Sequence, residues 1–399
     1  MPSALARILT INSGSSSIKF ALFDANAGLH RLLGGSIERI GLPATALRVT
    51  GTDPRHCEAR NLPTADHTAA AGVLLDWLAA HLERDSLLAV GHRVVHGGAD
   101  FSAPQPLTPA VLAKLAALGA LDPEHQPQEL LLVRAIGARF PAAAQLACFD
   151  TAFHHELPLV ARLLPIPRRY AAAGVRRYGF HGLSYEFLLG ELARLNPLEV
   201  AHGRVVLAHL GNGSSMAAVL HGRSIDTTMA LTPAAGLPMS TRSGDVDPGL
   251  ASYLARTEGM SAAGFVALTS RESGLLGISE TSSDMRDLLA LAATDQRAHE
   301  AVELYCYQIR KQVGAYAAAL GGLDLLVFTG GIGENCPPVR ERACAGLGFL
   351  GIELDQRRNA ANDPRISADN GRVTVRVIAT DEELVIARAV LRVATGVST

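Results

Sequence analysis

The sequence predicts a duplicated α/β fold of two domains, and three observations carry that expectation. The first is residues 8–24, where two apolar, β-branched runs flank Asn12-Ser13-Gly14-Ser15-Ser16-Ser17, the pattern of a β-hairpin with a polar loop. The second is a copy of that plan at residues 205–219, where an apolar run meets Asn212-Gly213-Ser214-Ser215 and another apolar run follows. The third is the apolar run at 325–329, which ends in Gly330-Gly331-Ile332-Gly333-Glu334-Asn335. Glycine lets each loop turn, and the serines set hydroxyls beside free backbone N–H groups, a concave donor set suited to an anion. Lys19 adds a charge just past the first loop. The first loop lacks the Gly-x-x-x-x-Gly-Lys-Ser/Thr spacing of a Walker A loop. Matching hairpins in the two halves imply a phosphate-handling architecture with a nucleotide gripped between them.

Composition agrees. At 399 residues the chain exceeds what one core supports and suits two domains. With 48% apolar and 19% charged residues it reads as globular, and its abundant alanine favours helices around a sheet. The net charge of −2 and the absence of any Lys/Arg block argue against nucleic acid or an anionic membrane as partner. No apolar run approaches the roughly 20 residues a bilayer requires, and the first 20 residues lack a signal-peptide pattern. The five cysteines are scattered without a Cys-x-x-Cys pair, so reduced thiols in a cytoplasmic protein without a zinc site are expected.

In chain order, residues 32–50 read as short strands broken by glycine. Residues 68–82 carry Val73, Leu74, Trp77 and Leu78 at helical spacing. Residues 87–98 read as a buried strand running into a glycine turn, with Arg93 inside the apolar run. A guanidinium there needs an anionic partner, either a structural carboxylate or a bound substrate. Residues 108–118 and 128–137 read as helices on either side of the Pro-bounded loop 121–127. Residues 144–154 read as a buried strand with Asp150 at its carboxyl end, where open α/β sheets place ligands; a helix N-cap is the competing role. A linker-like stretch at 158–167 marks the domain boundary just before it.

Beyond it, glycines bracket His181 beside Arg176 and Arg177, so its backbone can approach a ligand. Arg242 sits in the polar loop 241–249, facing either solvent or a phosphate. Ser283 or Asp284 is expected to cap a helix, a role compatible with binding. Helices are expected at 298–314 and 314–320, a strand at 373–380 and a last helix from 381. Glu382 and Glu383 open that helix either as dipole partners or, beside a nucleotide, with one of them holding Mg²⁺ through water.

Nine ordered segments (12–20, 92–98, 148–154, 178–182, 209–215, 241–248, 282–286, 330–335 and 380–388) together resemble the acetate kinases and the related short-chain acyl kinases over essentially the whole length. The resemblance implies an actin-like, ribonuclease-H-like duplicated fold with a central cleft, ATP and Mg²⁺ (or Mn²⁺) as cosubstrates, a short-chain carboxylic acid as acceptor and a homodimer. It also implies that the last helix packs on the N-terminal domain, giving domains 1–151 plus 385–399 and 152–384. Asn12 and Glu382 match the metal positions. Lys19, His209, Leu210, Gly211, Asn212, Gly213, Asp284, Met285, Arg286, Gly331, Ile332, Gly333, Glu334 and Asn335 match the ATP positions. Arg93, Val95, His125 and Pro233 match the acyl-substrate positions, Asp150 the catalytic acid, and His181 and Arg242 the transition-state stabilisers. Because a carboxylate acceptor is already ionised at pH 7, Asp150 is expected to play a positioning or metal-linked role rather than abstract a proton.

Three departures stand out. Residues 121–127 read Leu-Asp-Pro-Glu-His-Gln-Pro where the family usually has Leu-Ala-Pro-Leu-His-Asn-Pro. Residues 232–236 read Thr-Pro-Ala-Ala-Gly for Thr-Pro-Leu-Glu-Gly, and Ser240 replaces a usual glycine. Glu124 stands where relatives carry an apolar residue near the substrate methyl, so a shifted loop with Glu124 in solvent, and acetate still accepted, is expected. A propionate kinase, a sugar kinase or another actin-like ATPase are the competing activities.

Overall fold

The computed structural model describes residues 7–14, 17–26, 28–41, 44–63, 66–83, 86–121 and 125–395. Asp122, Pro123 and Glu124, on which the sequence hangs acyl-chain preference, lie outside these residues, as do Ser15 and Ser16. The chain divides into two compact units, Met1–Ala152 with Asp381–Thr399, and Phe153–Thr380.

The first unit is built on eight strands: β1 (Arg7–Ser13), β2 (Ser17–Asp24), β3 (His30–Glu38), β4 (Ala46–Gly51), β5 (Glu58–Asn61), β6 (Leu87–Val94), β7 (Gln105–Pro106) and β8 (Ala144–Phe149). They lie in the order β5-β4-β3-β2-β1-β6-β8-β7. β1 and β2 form the expected antiparallel hairpin, with Asn12 opposite Lys19. β6 then runs parallel to β1, and β8 parallel to β6. Parallel neighbours force the near-continuous apolar runs of β1 and β6, because such strands are covered on both faces. One cover is the helix His67–His81, capped by the Asp66 carboxylate and burying Ala70, Ala71, Leu74, Trp77 and Leu78 along one stripe.

Another cover is the last helix, Glu382–Thr395, which buries Val385, Ile386, Ala389 and Val390. It approaches β6 so closely that a Cβ on Gly91 would sit 2.4 Å from Ile386 Cγ2. Glycine at 91 is therefore what lets this helix close on the sheet. The sequence places residues 381–384 with the second domain, yet they belong to the first unit. Asp381 pairs with Arg31 on β3, and Glu382 accepts a hydrogen bond from Asn12 on β1, so the first turn of the helix is fastened to the first sheet. The strand expected at 144–154 ends at Phe149, leaving Asp150 just past it.

The second unit repeats the plan with β9 (Arg204–Leu210), β10 (Ser214–Leu220), β11 (Arg223–Thr227), β12 (Leu325–Thr329) and β13 (Thr374–Val377), ordered β11-β10-β9-β12-β13. β9 pairs antiparallel with β10 and parallel with β12, and β12 parallel with β13. The inner strands of the first unit, β3-β2-β1-β6-β8, have the same order and directions, so the fold is a duplicated ribonuclease-H-like α/β fold of the actin-like class. The second core is organised by the helix Gln296–Leu320, which buries Val302, Tyr305, Ile309, Val313, Tyr316 and Leu320 at spacings of three and four. It is continuous where two helices are expected. Gly314 costs propensity but not continuity, because the flanking apolar stripe holds the helix on the sheet. Among the described residues no helix is long and apolar enough to cross a membrane.

Candidate active site

In the first unit the sequence-predicted residues converge at the carboxyl ends of β1, β6 and β8. Arg93 leaves β6 and gives Nε and Nη2 hydrogen bonds to Asp150 Oδ2 at 3.0 and 2.5 Å, and an Nη1 hydrogen bond to the Ser13 carbonyl at 3.0 Å. The pair is deeply placed, with side-chain exposures of 12% and 0%. Burial disfavours the charge on Arg93, but Asp150, Glu382 and Glu129 outweigh it and raise the guanidinium above its ordinary value. Three of the five N–H donors are engaged, which leaves two. Asp150 Oδ1 is buried and finds no hydrogen-bond partner among the described residues. Arg93 therefore has a carboxylate partner within the protein, and the Asp150 side chain bonds this arginine. Beside them the Val95 N–H donates to Glu129 Oε1 at 3.0 Å, and Val95 and His125 are both buried.

The Asn12 side chain lies at the end of β1. Its Nδ2 donates to Glu382 Oε2 at 2.8 Å and to Glu383 Oε1 at 3.2 Å. Burial pushes the Glu382 carboxyl above its ordinary value, and the Asp150 charge pushes the same way against Arg93, Lys19 and Asn12. Burial also raises Glu383, helped by Glu382 next door. Two reluctant carboxylates on one amide make an anionic pocket short of positive charge.

In the second unit the hairpin tip between β9 and β10 is the centre. A Cβ on Gly213 would lie 3.2 Å from His181 Nε2 and 3.5 Å from Arg242 Nη1, so the imidazole and the guanidinium both face this glycine. His181 has φ 59°, in the left-handed region, and stands immediately before the helix Gly182–Leu195. Its ring stacks on His209 at 4.1 Å between centroids. Arg242 Nη1 donates to the Pro233 carbonyl at 3.2 Å. Asn212 is held by Ser240, whose backbone N–H and hydroxyl donate to its carbonyl and Oδ1.

Gly330, at φ 77°, approaches β9 so tightly that a Cβ would meet the Leu210 carbonyl oxygen at 2.6 Å. This seats the helix Gly330–Asn335 beside the hairpin, with Gly331 N 3.7 Å from the place of a Cβ on Gly211. Several residues at the expected ATP positions do other work with their side chains. Glu334 accepts from Gly330 N and Thr380 N and so closes the loop on itself. Asp284 caps the helix Met285–Leu291 and pairs with Arg286 at 2.6 Å. Leu210 and Met285 are buried in the core, so only their backbone can face a ligand.

The acetokinase family pattern matches residues 7–388. The chain belongs to the acetokinase family. It is 47% identical over 395 residues to the acetate kinase of Rhodopseudomonas palustris (strain TIE-1), covering 98% of each chain. It is 44% identical over 399 residues to the propionate kinase of Yersinia enterocolitica, covering 97% of this chain and 96% of that one. The crystal structure of a propionate kinase from Francisella tularensis superposes with a TM-score of 0.87 at 36% identity, covering 96% of this chain and 98% of that chain.

The family implies ATP and a divalent metal, and the residues of the first unit fit a hard cation. Glu382, Glu383 and the Asn12 amide are oxygen-bearing groups, both carboxyls resist ionisation without a counter-charge, and Asp150 keeps an unpartnered oxygen nearby. Among the described residues no three His, Cys, Asp or Glu side chains converge as a ready cage. Such a cation would keep water or phosphate oxygens in its shell.

Sequence reasoning took Glu382 alone as the metal position, although Glu383 opens the same helix and shares the Asn12 amide. It also missed Arg340. This side chain is fully buried, yet its donors are met by the Gly333 and Glu334 carbonyls and by Asn359 and Asn362, with no carboxylate among them. It fastens the end of the helix Gly330–Asn335. Its partners are mainly backbone oxygens, so only its position a few residues past the glycine run pointed to it.

Proposed function

We propose that this chain catalyses the reversible transfer of the ATP γ-phosphoryl group to acetate, giving acetyl phosphate and ADP, with Mg²⁺ as the metal and Mn²⁺ able to replace it. The observation that carries this reading is Arg93, a buried guanidinium at the strand ends with two N–H donors to spare. A sugar kinase must take a proton from a hydroxyl and wants a carboxylate free to do so. Here a buried guanidinium stands at the strand ends, which suits an acceptor already ionised.

The roles follow from charge. A carboxylate oxygen attacks the γ-phosphorus, the bond to the ADP oxygen breaks, and both partners are anions, so the barrier is largely one of repulsion and alignment. Arg93 binds the acceptor carboxylate, Asp150 holds Arg93 in place, and Val95, His125 and Pro233 border the acyl group. His181 and Arg242 donate to the equatorial oxygens of the transferring group. Gly211–Gly213 and Gly331–Asn335 bring backbone to the nucleotide, with Lys19 and His209 as further nucleotide contacts. Asn12 and Glu382 hold the metal, which when bound neutralises phosphate charge. The relatives named propionate kinase favour propionate as a second acceptor. The family resemblance supports a homodimer, which light scattering checks.

ATP-dependent hydroxamate formation with acetate, propionate, butyrate and a sugar panel tests the reading. Turnover with acetate supports it. Turnover with propionate or butyrate alone shifts the assignment to the longer acid, and turnover only with a sugar overturns it.

A further inference from the structure

His181 is not held by its own loop alone. Its Nδ1 lies 2.8 Å from Ser215 Oγ, and Ser215 Oγ lies 2.5 Å from the Tyr185 hydroxyl. Ser215 and Tyr185 are both fully buried, one on β10 and the other one turn into the helix that His181 precedes. The aromatic rings of Phe153 and His154 pack on Tyr185 at 5.6 Å, which fixes the phenol. His154 in turn is hydrogen-bonded to the Phe180 carbonyl, one residue before His181. Ring and backbone of His181 are thus set from the same side.

We infer that Tyr185 and Ser215 form a positioning relay that fixes His181 as a neutral imidazole carrying its proton on Nε2. This rests on the role proposed above for His181. In this relay the phenol O–H is the donor to Ser215 Oγ, and the serine hydroxyl hydrogen then points at His181 Nδ1. A nitrogen that accepts that hydrogen bond carries no proton of its own, so the single ring proton sits on Nε2, the atom that faces Gly213. His181 then offers a donor to a phosphoryl oxygen without a protonation step, and nothing is consumed in the cycle. His209, stacked on it, is tied the same way, with Nδ1 2.8 Å from Ser184 Oγ. Two stacked rings that both present Nε2 avoid the repulsion of two imidazolium ions.

The test joins spectroscopy to kinetics. In ¹⁵N-histidine-labelled protein, with His181 assigned by its loss in His181→Asn, the wild type should show an unprotonated Nδ1 and a protonated Nε2 at pH 7. Ser215→Ala should give a mixture of tautomers and lower kcat by about tenfold to a hundredfold, the usual cost of losing a partner that orients a working group, while KM for ATP and for the acid stays near wild type. Tyr185→Phe should do the same more weakly. A protonated Nδ1 or an imidazolium at His181 in the wild type overturns the relay. So does a kcat loss in Ser215→Ala with the tautomer unchanged, because a merely structural serine would act that way. The tautomer is read without turnover, so failure of the relay is distinguishable from failure of the kinase reading, which would appear as no activity with any short-chain acid.

Discussion

The tips of the two hairpins occupy the same place in two sheets of the same order, yet they are surrounded by opposite chemistry. At the end of β1 the Asn12 amide is flanked by Glu382 and Glu383, with Asp150 in electrostatic reach. At the β9–β10 tip Gly213 is flanked by His181 and Arg242. The first environment is short of positive charge, and the second is a cluster of donors awaiting an anion. Duplication supplies a loop that turns at the end of a central strand. What the neighbouring helix or loop brings to it decides whether the site favours a cation or a phosphoryl oxygen. In the first unit the last helix, returning from the far end of the chain, brings carboxylates. In the second, a residue forced into the left-handed region brings an imidazole.

The sharpest way to break this comparison is to remove the cation paired with Asp150 in the first unit. Arg93→Ala leaves Asp150 buried and uncompensated, and losing one partner of such a pair costs about 3–5 kcal/mol. We expect a markedly lower unfolding midpoint in denaturant for the ligand-free protein, together with a higher KM for the acid. An unchanged midpoint would mean that Arg93 is held for the ligand alone.

Arg242 should behave in the opposite manner. It is half-buried, and its Nη1 donates to the Pro233 carbonyl and the Met239 sulfur, neutral groups that cost less to leave unpaired than a buried carboxylate does. Arg242→Ala should lower kcat by about 10²–10³, as removal of one transition-state donor does, with the unfolding midpoint nearly unchanged. Equal loss of stability in both variants would erase the contrast between the units.

Acid should strike the two units alike, through histidines outside the chemistry. His92, bonded to Gln145 in the first sheet, and His154, bonded to the Phe180 carbonyl and Ser224 in the second unit, are each pushed down to about 4, chiefly by burial. The unfolded chain takes up these protons near pH 6.5 and the folded chain does not. Stability is therefore full above pH 6.5 and falls as the pH drops toward 4, by up to about 3 kcal/mol per histidine. Urea unfolding at several pH values checks this. His92→Gln should flatten the curve over that window, and an equally steep curve in the variant would show that other groups carry the acid sensitivity.

How much of this the sequence made legible follows from where each signal resides. The duplicated hairpins and the apolar runs of β1, β6, β9 and β12 were legible because glycine, serine and burial leave local patterns. Asn12 and Glu382 lie 370 residues apart, and only the family resemblance joined them before the fold did. Ser215 stood out only as a loop serine facing an anion, whereas it is buried at the start of β10, and its approach to Tyr185 and His181 exists only in the fold. Gly314 misled because a glycine mid-helix reads as a break, and tertiary packing overrode it. Arg340 was unreadable as a site because its partners are mainly carbonyl oxygens, which every sequence contains.

The finest contrast lies inside the first unit, between two adjacent carboxylates. Glu382 is closer to Asn12, at 2.8 Å against 3.2 Å for Glu383, and it alone feels both Arg93 and Asp150 among its main influences. If Glu382 holds the metal and Glu383 only steers Asn12, Glu382→Gln should abolish most of the Mg²⁺ dependence of turnover, while Glu383→Gln should weaken Mg²⁺ affinity by about tenfold, as loss of an outer partner does. Both carboxyls are raised above their ordinary values, so each ionised form is less at ease folded than unfolded. That penalty is present at neutral pH and disappears as the pH falls through the folded value. Each Gln variant should therefore unfold at a slightly higher temperature than the metal-free wild type at pH 7.5, with the gap closing on acidification. A titration of melting temperature with Mg²⁺ and ATP at two pH values reads both effects. Equal loss of metal response in the two variants would make the pair, rather than Glu382, the metal-holding group.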